Sequence, residues 1–242
     1  MEENCMKFVL KRKLLRSRAR VLSFMCALAL MCLLAACSAN QTATRDSDAE
    51  DNDGIDQSLI KRGVAPQPDA EVAVIDTNYY GQIVVELYPN LAPEAVKRLK
   101  QLAGEGFYNN QTFHRIDPEL GIIQGGDPLS KDNNPANDGS GGSDRPDLTA
   151  EFSDVPFERG TLGAARSASP NSANSQFFIT TKRQPAFNQR YTVFGRVIKG
   201  MDTVEAIIGA PVTAGTERPA DPIVIKSITL QPRGNFLGAQ VR

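Results

Sequence analysis

The chain has 242 residues and a formal net charge of −1, which allows one domain of about 170 residues with extra segments, or two small domains. The first 37 residues hold seven of the 27 Lys and Arg residues and two of the 28 acidic ones, so the remainder carries 20 basic and 26 acidic residues, a net charge of −6. An acidic domain is a poor candidate for binding nucleic acid. All four cysteines lie in the first 37 residues and there is one histidine, which excludes a disulfide framework, a thiolate nucleophile and a Cys- or His-based metal site from the domain.

Residues 1–37 have the features of an export signal. Residues 1–20 are basic and residues 21–36 are almost wholly apolar, but this run is shorter than the about 20 residues that a membrane-spanning helix needs. Its end, Leu34-Ala35-Ala36-Cys37, resembles the bacterial lipoprotein box, which implies cleavage before Cys37 and acylation of its thiol. An uncleaved anchor helix is the alternative. Either reading predicts an exported domain tethered to a bacterial membrane, in the periplasm or outside the cell.

Residues 38–69 predict an acidic, flexible linker. The segment has few large apolar residues before Leu59 and Ile60, so it cannot bury enough surface to offset its ordering entropy. As a flexible coil it would span roughly 30 Å on average. We interpret it as a solvated spacer between the membrane and a domain at residues 70–233, with residues 234–242 as a tail.

The predicted domain begins with two strands and a helix. The β-rich runs 72–75 and 82–88 are joined by turn residues 76–81, which indicates a hairpin. Apolar residues then recur at helical spacing over residues 93–103, with Asn90 as a candidate cap and Pro93 suited to the first turn.

Residues 112–127 predict two further short strands around a turn. Residues 112–116 alternate with period two, Asp117 and Pro118 supply turn chemistry, and residues 122–124 form an apolar run. Arg115 and Gln124 are therefore expected on adjacent strands of one sheet. His114 is expected on the opposite face from Arg115, satisfied by a neighbouring backbone group.

The rest of the domain is rich in short strands. Residues 127–150 predict a long loop of Asp, Asn, Gly, Ser and Pro, and Met201–Ile208 predicts a second helix that ends at Gly209. Strands are predicted at 160–165, 176–181, 192–198 and 223–230. Many short strands, few helices and no regular βαβ alternation favour a barrel or a sandwich.

Five short motifs occur in an order that resembles the cyclophilin family of peptidyl-prolyl cis/trans isomerases. They are Phe113-His114-Arg115-Ile116, Gln124-Gly125-Gly126-Asp127, Pro170-Asn171-Ser172, Ser175-Gln176-Phe177-Phe178-Ile179 and Val193-Phe194-Gly195-Arg196-Val197. The resemblance covers about residues 71–232. It implies a mainly β fold, a closed eight-stranded antiparallel barrel capped by two α-helices, and proline-containing polypeptides as partners. We expect a monomer without metal or cofactor.

The chemistry of such a site follows from the peptide bond. Rotation is opposed by about 18–20 kcal/mol because the nitrogen lone pair is delocalised into the carbonyl. Before proline the cis form is only modestly disfavoured, so isomerisation is limited by rate and not by equilibrium. A rigid, permanently charged donor near the prolyl nitrogen favours the twisted state without covalent chemistry. The resemblance assigns this catalytic role to Arg115.

The resemblance also assigns a set of substrate-binding residues. Gln124 is implied to contact the substrate backbone, and Phe178 to form the floor of the proline pocket. The adjoining groove is implied to be lined by Gln176, Ala165 and Arg166. The residues around the pocket are Leu120, Ile122, Phe187 and Tyr191. Several positions depart from the common pattern. One extra residue lies between Arg115 and Gln124, so Leu120, Gly121 or Ile122 stands where a phenylalanine is usual. Ala186 aligns with a tryptophan, from which we expect weak cyclosporin binding.

Three functions are compatible with these features. The first is a prolyl isomerase that assists the folding of exported proteins. The second is a module that binds proline-containing segments with little or no turnover, suggested by the altered pocket wall. The third is a lipoprotein barrel for small ligands, because eight-stranded barrels can hold one small ligand.

Overall fold

A computed structural model describes residues 56–132 and 134–237. The predicted signal peptide with Cys37, the linker through residue 55 and residues 238–242 of the predicted tail lie outside the described residues. Within the described part of the chain, no helix has the length and apolar character needed to cross a bilayer.

The described residues form one antiparallel sheet and two α-helices. The strands are β1 (Glu71–Thr77), β2 (Gln82–Leu87), β3 (Gln111–Thr112), β4 (Arg115–Asp117), β5 (Ile122–Gly125), β6 (Thr161–Ala164), β7 (Phe177–Thr180), β8 (Val193–Lys199) and β9 (Val224–Pro232), and the helices are α1 (Pro93–Gly104) and α2 (Met201–Ile208). The sheet order is β3-β9-β1-β2-β8-β6-β7-β5-β4. The predicted β1–β2 hairpin and the helix at Met201–Ile208 are confirmed, while several strand ends differ by one or two residues.

The predicted closed barrel of eight strands is wrong in strand number and closure. One expected strand, residues 112–116, is interrupted at Phe113 and His114. Its first part pairs with β9 and its second part with β5, so the two parts form opposite edges of a nine-stranded sheet. Because only Phe113 and His114 separate these edges along the chain, the sheet is curled into a half-barrel. The coarser prediction, a mainly β fold with two helices, is confirmed.

The inner face of the curled sheet is a packed hydrophobic core. Ile116, Ile123, Ile179 and Leu162 lie in register across β4, β5, β7 and β6, and each is at most 1% exposed. Aromatic rings fill the same core, with Phe113 and Phe177 in edge-to-face contact. An interior filled by side chains argues against the small-ligand barrel.

The amino end of α1 is capped differently from the sequence prediction. The carboxylate of Glu151 accepts hydrogen bonds from the backbone N–H groups of Glu94 (3.2 Å) and Ala95 (3.0 Å). Such an acceptor satisfies helix N–H groups that have no partner within the helix. Asn90, the predicted cap, instead uses its side-chain amide to bind residues 65 and 67. Pro93 does occupy the first turn, as predicted.

The chain before β1 lies against the domain from Ile60 onwards, although the sequence assigns this stretch to the linker. The Lys61 ammonium donates to the carbonyl of Leu91 (2.6 Å), and the Gly63 N–H donates to the Asp154 carboxylate (2.7 Å). Ile60 is 6% exposed. These contacts attach the segment to the same loops that surround the site described below.

Candidate active site

The sheet register aligns three predicted site residues in one row on its outer face. Arg115 on β4 lies opposite Gln124 on β5, Gln124 lies opposite Phe178 on β7, and Phe178 lies opposite Gly163 on β6. Directly opposed residues project to the same side of an antiparallel sheet. The expectation that Arg115 and Gln124 lie on adjacent strands is therefore confirmed.

Among the residues that the structure describes, three hold the Arg115 guanidinium. Its Nη1 donates to Oε1 of Gln124 (3.3 Å), its Nη2 donates to Oδ2 of Asp117 (3.2 Å), and its Nε donates to the Glu217 carboxylate. The arginine side chain remains 34% exposed. Asp117 could have been found from the period-two pattern, because it lies two residues from Arg115 on one strand. Glu217 is 102 residues away in the chain, and no local pattern points to it.

A chain of amides orients Gln124 toward Arg115. Nε2 of Gln124 donates to Oε1 of Gln176 (2.9 Å), and Nε2 of Gln176 donates to the carbonyls of Gly141 (2.8 Å) and Gly139 (3.0 Å). Since the Gln124 nitrogen is used in this way, its oxygen faces the guanidinium. The long loop after β5 thus sets the direction of Gln124 through its backbone carbonyls.

Phe178 belongs to a cluster of four aromatic rings on the outer face. It stacks on Phe157 (centroids 5.6 Å apart, 19° between planes) and meets Phe187 (5.5 Å) and Tyr191 (5.4 Å) edge to face. Phe157 was not singled out from the sequence. The Phe178 ring is 3% exposed, so its neighbours cover nearly all of its surface.

The predicted groove residues line one cavity beside this row. A cavity of about 430 Å³ is bordered by Gln124, Ala165, Arg166 and Gln176, together with the loop around Gly141. The Ala165 N–H already donates to the Gln176 carbonyl (3.0 Å). The Arg166 guanidinium lies over the Tyr191 ring, 4.7 Å from its centroid, and its Nε donates to the Arg190 carbonyl (2.9 Å). Arg166 thus connects the groove to the aromatic cluster.

The sequence matches a known family over most of its length. Residues 72–230 match the family described as cyclophilin type peptidyl-prolyl cis-trans isomerase/CLD. The chain belongs to the cyclophilin family.

Individual relatives agree with this assignment. A protein of Brucella suis named as a probable peptidyl-prolyl cis-trans isomerase is 44% identical over 169 residues, which cover 68% of this chain and 86% of the relative. A peptidyl-prolyl cis-trans isomerase of Schizosaccharomyces pombe is 34% identical and covers 62% of this chain and 94% of its own length.

A solved structure is also similar to this cyclophilin. It is a Cryptosporidium parvum cyclophilin type peptidyl-prolyl cis-trans isomerase, crystallised in the presence of the dipeptide Ala-Pro, with a TM-score of 0.60 and 33% identity. The alignment covers 66% of this chain and 98% of the solved chain.

Of the three positions at which the extra residue could fall, Leu120 and Gly121 lie in the turn between β4 and β5 and Ile122 lies in β5. Gly121 has a φ of 71°, and a Cβ there would lie 2.7 Å from the Lys182 side chain, so glycine fits this position best. Ile122 is the first residue of β5, two before Gln124 and on the same face. Leu120 and Ile122 both pack against the aromatic cluster. Of the three residues that the sequence offered for the pocket wall, these two contact the cluster, and their role in binding stays a prediction.

Gly163 makes room for the aromatic stack of this cyclophilin. A Cβ at Gly163 would lie 2.3 Å from Cζ of Phe178 and 2.8 Å from Cε1 of Phe157. These distances are far below normal contact, so any side chain at Gly163 would displace the rings. The position of Phe178 is set by a residue that no motif highlighted.

His114 is buried beside the row, and the Thr112 backbone, a partner of the predicted kind, lies next to its ring. It is 6% exposed, and among the described residues no hydrogen bond of good geometry reaches either ring nitrogen. Burial lowers the pKa of His114 from 6.5 to about 4, because desolvation disfavours the imidazolium and the nearby Asp127 carboxylate offsets this only in part. The nearby cations Arg115 and Arg218 lower the pKa further. The imidazole is therefore neutral near pH 7.

We expect His114 to make the folded state sensitive to mild acid. Between the two pKa values, about 4 when folded and 6.5 when unfolded, the unfolded chain binds more protons, so stability falls as pH decreases. Lowering the pH from about 7.5 to about 5 should therefore reduce the free energy of unfolding by about 2 kcal/mol through His114. Urea unfolding of the wild type and of His114→Phe at both pH values measures it. The carboxylates titrate in both proteins and give a common background. If the free energy of unfolding falls equally in the wild type and in His114→Phe between the two pH values, the expectation is contradicted.

Proposed function

We propose that this cyclophilin accelerates cis/trans rotation about Xaa-Pro bonds, with Arg115 as the catalytic residue. The single observation that carries the proposal is the row of Arg115, Gln124 and Phe178 across adjacent strands. It places a fixed cation, an amide and an aromatic ring side by side on one face. These are the groups needed to hold a proline and to act on the imide next to it.

The guanidinium retains donors for a substrate. Arginine has five N–H groups, and within the described residues three of them bind Gln124, Asp117 and Glu217. One N–H on each terminal nitrogen remains for the peptide. As the imide twists, its lone pair localises on the prolyl nitrogen and becomes a better acceptor. A donor fixed in this direction therefore binds the twisted state more strongly than the planar one, which is the condition for catalysis.

The cavity bordered by Ala165, Arg166 and Gln176 is proposed to bind the peptide segment next to the proline. It adjoins Gln124, so a chain running through it would bring its prolyl bond to Arg115. The Cryptosporidium structure obtained in the presence of Ala-Pro supports proline-containing peptides as the ligand class. Phe178, Phe187, Tyr191, Leu120 and Ile122 are proposed to enclose the proline ring.

A second candidate function is peptide binding with little turnover. It is favoured by the burial of Phe178 under three other rings and by the sharing of Arg115 between two carboxylates. NMR exchange spectroscopy on an Xaa-Pro peptide separates the two functions. Binding shifts the peptide signals in both cases, but only an isomerase increases the rate of cis/trans exchange. Faster cis/trans exchange at catalytic protein concentration supports the isomerase, whereas shifts without faster exchange support the binding module.

We propose further that the domain acts on exported proteins while lipid-anchored through Cys37. The support is the basic and apolar leader that ends at Leu34-Ala35-Ala36-Cys37. Since one acyl chain binds a bilayer only marginally, stable attachment needs more than one chain on that residue. Fractionation of cells with wild-type protein and with Cys37→Ser tests this. The wild type is expected in the membrane fraction with incorporated fatty acid, and the same result for the variant would contradict the proposal.

A further inference from the structure

We propose that Glu217 is a positioning residue, which holds the Arg115 guanidinium in the orientation that catalysis requires. The inference rests on the proposed function, since it assigns Glu217 a role only through Arg115. Its basis is the contact between the Glu217 carboxylate and Nε of Arg115, together with the way in which the backbone places that carboxylate.

The backbone of Glu217 is fixed to the edge of the sheet beside Arg115. Its carbonyl accepts a hydrogen bond from the N–H of Ile116 (2.7 Å), the residue that follows Arg115 on β4. The backbone contact and the carboxylate contact thus involve neighbouring residues of one strand. Both the backbone and the side chain of Glu217 therefore contact the strand that carries Arg115.

Glu217 is carried by a hairpin at residues 212–219 that is closed by its own hydrogen bonds. Val212 and Pro219 form an antiparallel bridge, and the Thr213 N–H donates to the Arg218 carbonyl (2.9 Å). At the tip, the Thr216 hydroxyl donates to the Thr213 carbonyl (2.8 Å). These bonds restrict the backbone on both sides of Glu217.

The hairpin is also tied to the loop that orients Gln124. Nη2 of Arg218 lies 3.6 Å from Oδ2 of Asp138, whose side chain is 9% exposed. Asp138 is followed by Gly139, the carbonyl of which accepts from Gln176. The hairpin and the amide chain are therefore parts of one connected arrangement around Arg115.

The positions of the three partners define the orientation of the guanidinium. Glu217 binds Nε, Asp117 binds Nη2 and Gln124 binds Nη1. A planar group held at all three nitrogens can rotate neither about its stem nor within its plane. Without Glu217 the group would keep two partners on its terminal nitrogens and could pivot about them.

The contact is suited to orientation more than to stability. The Glu217 side chain is 49% exposed and that of Arg115 is 34% exposed, and ion pairs as exposed as this add little to stability because water screens them. Small errors in the position of a catalytic group, by contrast, can cost large factors in rate. Loss of Glu217 should therefore change turnover far more than unfolding.

Kinetics of Glu217→Ala and Glu217→Gln test the proposal. We expect Glu217→Ala to lower kcat for an Xaa-Pro peptide about tenfold, with KM within about twofold of the wild type. Glu217→Gln keeps a side-chain oxygen that can accept from Nε, so its kcat should lie between the two. A purely structural role would not produce this rescue together with an unchanged KM.

A double-mutant cycle shows whether Glu217 acts through Arg115. Alanine at Arg115 removes every donor that Glu217 could position, so adding Glu217→Ala to Arg115→Ala should lower the residual kcat no further. Glu205→Ala is the matched control, because Glu205 pairs with Arg159 at 2.5 Å and both side chains are about half exposed. We expect the control to leave kcat unchanged.

The outcomes separate this inference from the function on which it rests. If Arg115→Ala lowers kcat but Glu217→Ala leaves it unchanged or raises it, Glu217 is not a positioning residue and the isomerase assignment stands. If Arg115→Ala itself leaves kcat unchanged, the proposed role of Arg115 fails first. Additive effects of Glu217→Ala and Arg115→Ala would also overturn the inference.

Discussion

Replacing Arg115 by alanine is expected to lower kcat/KM for an Xaa-Pro peptide about 100-fold, the usual loss when a preorganised donor is removed from a site. The reason is that Arg115 is the cation in the row with Gln124 and Phe178. The free energy of unfolding should change by only about 1 kcal/mol, because the side chain is partly exposed and its ion pairs are screened. A protease-coupled assay measures the rate, and urea unfolding measures the stability.

Two variants serve as controls for Arg115→Ala. Arg115→Lys keeps the positive charge but loses the planar fork, so we expect it to recover only part of the activity. Arg159→Ala removes a surface arginine of similar kind, paired with Glu205 away from the row, and should retain full activity. Equal rates for the wild type and Arg115→Ala would end the assignment of Arg115 as the catalytic residue.

Replacing Phe178 by alanine is expected to cost about 3–5 kcal/mol in the free energy of unfolding, as is typical of buried phenylalanines. The ring is 3% exposed and contacts three other rings, so the change leaves a cavity within the cluster. Urea or thermal unfolding measures the loss. A change below about 1 kcal/mol would show that the cluster collapses around the gap and that the packing is not rigid.

Leucine at the same position separates packing from substrate binding. Phe177 and Phe178 are consecutive on β7, face opposite sides of the sheet and are 1% and 3% exposed. Their leucine variants should therefore lose similar stability, about 1 kcal/mol each. Only Phe178→Leu should weaken the binding of a proline-containing peptide, as measured by titration. Equal affinities for the two variants would contradict a pocket at Phe178.

Local sequence patterns predicted those parts of the site that adjacent strands provide. Alternation before the turn at Asp117 and an apolar run after it placed Arg115 and Gln124 on adjacent strands, and the register confirms it. The same pattern did not show that the chain breaks at Phe113 and His114, because both residues are buried and continue the strand-like sequence. A strand that divides between two sheet edges looks, in sequence, like one uninterrupted strand.

Partners from distant loops could not be predicted by the same means. The helix cap at α1 comes from Glu151, more than 50 residues away, and the acid at Nε of Arg115 comes from Glu217, 102 residues away. Carboxylates are common on loops, and nothing in their neighbours distinguishes these two. Asn90 was a reasonable local choice for the cap, but its amide is used by the segment before β1.

The sequence by itself determined that Arg115 and Gln124 lie on adjacent strands and where the two helices lie, because these properties depend on neighbours a few positions apart. The candidate site residues came from the resemblance of five ordered motifs to a known family. The tertiary structure decided that the sheet has nine strands and open edges, that Gly163 admits the Phe178 ring, and that two carboxylates share Arg115. These features arise where segments far apart in the chain meet, and their geometry is set by the closing of loops and not by local preference.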